Sequence, residues 1–89
     1  MTPFERLATE LIMRLSPADF AVGFTSFSRT GDVVTFSGAL PQTMHFGVAT
    51  LDLSTGVVTY EDQDHRDGGG YEMGRVTLTA EQLESLKRA

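Results

Sequence analysis

The sequence predicts an α+β domain: an N-terminal helix, an antiparallel meander sheet of four to five strands and a C-terminal helix, with both helices on one face of the sheet. Three observations predict it. Apolar residues recur at spacings of three and four between Phe4 and Leu15, the period of a helix. Between Phe20 and Leu78, short alternating runs rich in Val, Thr and Phe are punctuated by Thr-Gly and Pro, the pattern of half-buried strands and turns. At Thr79-Ala80-Glu81-Gln82 a helix-start signature restores the longer period.

The first helix spans residues 2–15. Thr2, Pro3 and Glu5 form a Thr-x-x-Glu capping box with proline at the first helical position. The Thr2 hydroxyl is expected to accept from the Glu5 amide, and the Glu5 carboxylate to reach back. Phe4, Leu7, Ala8, Leu11, Ile12 and Leu15 make one apolar stripe. Ser16-Pro17 ends the helix, because a residue before proline avoids the α region.

Residues 20–28 and 33–40 read as a hairpin around Arg29-Thr30-Gly31. Phe20, Val22 and Phe24 share a face with Val34 and Phe36 if Ser28 pairs with Asp32. That leaves a three-residue loop with Gly31 in the left-handed region. Phe27 then points to the opposite face. Pro41 marks the next connection. Residues 45–53 and 57–61 form a second hairpin, with Ser54 paired to Val57 and Thr55-Gly56 at the turn. Residues 62–70 read as a loop, since Gly68-Gly69-Gly70 costs backbone entropy in any regular element. Residues 71–78 supply a fifth strand with Val76 and Leu78 inward. The last helix packs Ala80, Leu83 and Leu86 and closes with Lys87 and Arg88, which suit a helix C-terminus. The other face of the sheet carries Ser26, Ser28, Val33, Thr35, Ser37, Val48, Thr50, Asp52, Val57 and Thr59, a polar set with a few valines.

Composition bounds the function. Eighty-nine residues make one domain, residues 1–89, and a chain of this length buries about two-thirds of its unfolded surface. There is no cysteine, so disulfides, thiolate metal sites and Cys nucleophiles are excluded and a reducing, cytoplasmic setting is expected. Glu5, Arg6, Glu10 and Arg14 interrupt the N-terminal apolar pattern, which reads as neither signal peptide nor membrane span. The net charge is −5 and the seven basic residues are scattered, so direct nucleic-acid binding is not expected.

The acid excess is local. In VVTYEDQDHRDGGG, residues 57–70, a strand turns acidic and runs into glycine. Asp62-x-Asp64-His65-x-Asp67-Gly68 offers oxygen ligands at alternating positions, but the EF-hand spacing fails: Arg66 stands at position five, Asp67 at the glycine position and Met73 at position twelve. His45 and His65 are a weak basis for a zinc site. No Gly-x-Ser-x-Gly turn exists, and the triple glycine lacks the Gly-Lys-Ser/Thr ending of a phosphate loop. Accordingly no catalytic residue, metal or cofactor is assigned. The expected function is a small acidic, non-enzymatic protein-binding module of inhibitor, immunity or adaptor type, a monomer or homodimer whose partner has a basic surface. Glu61, Asp62, Asp64 and Asp67 would supply charge, His65 a contact, and Tyr60 and Tyr71 either aromatic anchors or core residues. The alternative is a metal-binding or lid-gated enzyme or sensor using Asp62, Asp64, His65 and Asp67.

Overall fold

A computed structural model describes residues 2–18, 20, 23–40, 45–64 and 69–89. In chain order the elements are α1 (Pro3–Leu15), β1 (Ser26–Thr30), β2 (Val33–Leu40), β3 (His45–Asp52), β4 (Val57–Asp64), β5 (Gly69–Thr77) and α2 (Ala80–Arg88). The strands form one antiparallel meander in sequence order. This is the α+β architecture that the periodicities predict. Val22 and the connection at Pro41 lie outside the described residues.

Both helices begin where their caps place them. The Thr2 hydroxyl accepts from the Glu5 amide at 3.1 Å, and Pro3 opens α1. At α2 the box is complete: Thr79 Oγ1 accepts from the Gln82 amide at 3.1 Å, and the Thr79 amide donates to Gln82 Oε1 at 2.9 Å. At α1 the Glu5 side chain does not return the bond, so that expected capping box is only half made.

The two helices share one core with one face of the sheet. Ala8, Leu11 and Ile12 of α1 and Leu86 of α2 pack with Val34, Phe36, Ala49, Leu51, Val58 and Tyr60. Phe4, Leu15 and Leu83 flank this core, while Leu7 sits at the exposed margin of the α1 stripe. Alternation then sends Val33, Thr35, Ser37, Val48, Thr50, Asp52, Val57 and Thr59 to the other face. No described helix lies on that side. None of the described helices is long and apolar enough to cross a membrane.

Register departs from expectation in both hairpins. Thr30 pairs with Val33, which leaves a two-residue loop, Gly31-Asp32, instead of a pairing of Ser28 with Asp32. Gly31 still takes the left-handed conformation, with φ +61°. An odd shift in register flips every side chain of the strand. Phe27 therefore lies opposite Phe36 on the helix-covered face, with ring centroids 5.3 Å apart, and not on the far side. Phe20 and Phe24 precede β1 and still reach the core, Phe24 at 5.6 Å from Phe36. In the second hairpin Asp52, not Ser54, pairs with Val57. This shift is even, so the faces are preserved and Leu53 stays buried.

Asp52 shapes that four-residue loop. Its carboxylate accepts from the Ser54 hydroxyl at 2.5 Å and the Ser54 amide at 2.9 Å, and Gly56 closes the turn at φ +79°. These bonds to Ser54 hold the Asp52 carboxyl below its ordinary 3.8. Because the folded value is depressed, the stabilisation is present above 3.8 and is lost as pH falls through the lowered folded value. Asp52→Asn is expected to flatten the acid limb of a stability–pH curve below pH 3.8, read by urea denaturation. A limb identical to wild type would show that Asp52 is not among its sources.

Candidate functional site

Among the described residues the acidic run is strand and not loop. β4 continues through Asp64, and β5 starts at Gly69, paired with it. Gly70 pairs with Gln63 inside the ladder, contrary to the reading of the triple glycine as a strand breaker. The reason is steric. A Cβ at Gly70 would stand 3.0 Å from Gln63 Cγ and 3.1 Å from the Asp62 carbonyl oxygen. Glycine lets the Gln63 side chain cross its neighbour strand closely.

Strand geometry then divides the acids between two faces. Asp62 falls on the helix-covered side and is 1% exposed. The Tyr71 hydroxyl, from the opposite position on β5, donates to Asp62 Oδ2 at 3.2 Å. Asp62 is thus an interior carboxylate with a hydrogen-bond partner, and Tyr71, 61% exposed, is partly a lid over it. Tyr60 is fully buried and its hydroxyl donates to the Ile12 carbonyl at 2.5 Å. That places Tyr60 in the core and not at the surface where an anchor would stand. Burial pushes its phenol up to about 12. The side chain of Asp64, with His65 and Asp67, lies outside the described residues.

Glu61 takes the open face. A bulge between Tyr60 and Glu61 skips Met73, so Tyr60 faces Gly74 while Glu61 faces Glu72. Two carboxylates therefore stand opposite each other on adjacent strands. Arg75 compensates for one of them, with Nη2 2.6 Å from Glu72 Oε1. Both partners are largely exposed, so this pair contributes at most about 1 kcal/mol. Glu61 has neither a hydrogen bond nor an ion pair among the described residues.

Beside this pair the open face carries Val48 opposite Glu61, and Phe46 opposite Gln63. Phe46 is 47% exposed. Together Phe46, Val48, Glu61, Gln63 and Glu72 form a patch of an aromatic ring, a valine, an amide and two carboxylates. Of these, Val48 is read from alternation as an open-face residue, and Glu61 and Glu72 belong to the local acid excess. Phe46 shares the parity of Val48, Thr50 and Asp52, and that was the signal available for it. Glu72 required the bulge, which no local pattern announces. Among the described residues no group of three or more His, Asp or Glu is placed to hold a metal ion. Neither a family model, nor a curated protein, nor a solved structure matches the chain.

Proposed function

We propose that this protein is a non-enzymatic protein-binding module, and that it meets a basic-surfaced partner through the open sheet face at the β3–β5 end. The observation that carries this reading is the half-exposed Phe46, near Glu61 and with Glu72 one strand further on, on a face that carries no described helix. An aromatic anchor with carboxylates nearby is the composition of a selective contact: the ring supplies affinity, and the carboxylates supply steering and partner choice. The strands of this face carry Asp52, Glu61 and Glu72 against Arg75. With a net charge of −5, two copies stacking these faces would repel, which favours a basic partner over a homodimer. The cysteine-free chain suits a reducing cytoplasm.

The test is capture from source-cell lysate at low and moderate salt, followed by calorimetric titration of the captured protein. Phe46→Ala is expected to weaken binding about tenfold. Glu61→Gln with Glu72→Gln should flatten the salt dependence. The melting temperature of each variant, measured alongside, separates a lost contact from a weakened fold. A partner whose affinity and salt slope ignore all three substitutions would remove this face from the interaction. A divalent ion that raises the melting temperature by mass action would instead favour a metal-binding or lid-gated role for Asp62 with Asp64, His65 and Asp67. Asp62→Asn is a poor surface probe, because it alters an interior hydrogen bond.

A further inference from the structure

On the helix-covered side, between the first turns of α1 and the edge strand β1, lies a half-open cavity of about 340 Å³. Phe24 and Phe27 form its apolar wall, with the buried Phe36 behind them at centroid distances of 5.6 and 5.3 Å. Glu5 and Thr9 from α1 supply polar side chains, and Ser26 of β1 lines the rim. Glu5 is partly buried as a residue, and its carboxylate makes neither hydrogen bond nor ion pair among the described residues. It is the group that the capping motif would have occupied. Gln82 makes the equivalent bond at α2, at 2.9 Å, whereas Glu5 lines the cavity instead. A carboxylate without a partner beside aromatic rings favours a cation, through the charge and through the negative ring faces. The neighbouring ring already holds one: the Arg29 guanidinium lies 4.9 Å over Phe4, which packs against Phe27 at 6.3 Å.

We propose that this cavity receives the ammonium head of a lysine side chain carried by an extended segment of a partner protein lying along the outer edge of β1. β1 ends the sheet, so its outer backbone edge faces no described strand. Ser26 is both a β1 residue and part of the cavity wall, so a strand added here passes the cavity mouth. Strand addition supplies main-chain hydrogen bonds, and a pocket beside the edge selects an alternate side chain. The volume lies at the small end of ligand pockets and suits one side chain. A lysine stem would lie on Phe24 and Phe27 with its head at Glu5. This site is on the other side of the sheet from Phe46 and uses none of its residues, so the two proposals fail separately.

Heteronuclear NMR titration of the isotope-labelled full chain tests it. The probes are the blocked pentapeptide Thr-Val-Lys-Val-Thr, its norleucine counterpart, and tetramethylammonium. The lysine peptide should shift the amides of Thr9 and of residues 24–27, and bind about tenfold more tightly than the norleucine peptide. Glu5→Gln should weaken the lysine peptide about fivefold and leave the norleucine peptide unchanged. The proposal is overturned if the two peptides bind equally, if no shift appears at the solubility limit, or if the shifts fall on Val48, Glu61 and Gln63. Tetramethylammonium binding as tightly as the lysine peptide would overturn the strand-borne source.

Discussion

Gly74→Ala is expected to destabilise the protein by about 1–3 kcal/mol, lowering the melting temperature by roughly 5–15 °C. The sign is opposite to the usual one. Gly74 does not have a positive φ, and at such a position alanine ordinarily stabilises by about 0.4–1 kcal/mol through the unfolded state. Here a Cβ would stand 2.7 Å from Pro17 Cγ. The proline ring cannot rotate away, and Pro17 connects directly to the end of α1. The remaining proline atoms are farther off, with Cβ at 3.8 Å. Removing the ring therefore removes the clash. In a thermal double-mutant cycle, Gly74→Ala should cost much less in a Pro17→Ala background than alone. Equal costs in the two backgrounds would show that the ring contact does not decide the effect.

Tyr60→Phe should cost a similar amount, about 1–3 kcal/mol. The last carbonyls of a helix lack intrahelical partners. At α1 the Met13 carbonyl is taken by the Ser16 hydroxyl at 2.8 Å, and the Ile12 carbonyl by Tyr60 at 2.5 Å. The sheet thus caps the helix from beneath, and phenylalanine would leave a buried acceptor unpaired. The same residue has a pH signature. Burial raises its phenol from 10.0 to about 12. Below pH 10 the phenol is neutral in both states and the stabilisation is complete. Above that the unfolded chain ionises first, so stability declines as pH rises toward about 12. Chemical denaturation across this range should show the decline in wild type and a flatter limb in Tyr60→Phe. Parallel limbs would assign the alkaline loss to Tyr71 or to other groups.

Tyr60 and Gly74 are partners in the ladder, and both receive the end of α1. Phe20, whose amide donates to the Pro17 carbonyl at 2.9 Å, closes the same junction with its ring 5.1 Å from Tyr60. The helix-to-sheet joint is consequently where both substitutions act. It also positions the first turns of α1 over β1, where Glu5 meets the phenylalanines.

Local chemistry alone determined the element types and their order. Caps at Thr2 and Thr79, apolar spacing in the helices, and left-handed glycines at Gly31 and Gly56 act over a few residues, so they are legible in a sequence. It also determined the composition of the open face from β2 to β4, since alternation needs only the strand. The tertiary structure decided what depends on partners distant in the chain. The pairing of Phe27 with Phe36 selected a two-residue loop over a three-residue one and reversed the face of β1. Glycine at position 70 made room for the Gln63 side chain, so residues 62–64 and 69–70, expected in a loop, pair as a ladder. Alternation across that ladder then split an acidic run that is continuous in sequence, sending Asp62 inward to Tyr71 and Glu61 outward to Glu72. A one-dimensional cluster of charge becomes a surface patch only if the backbone presents it on one side, and in a strand it cannot.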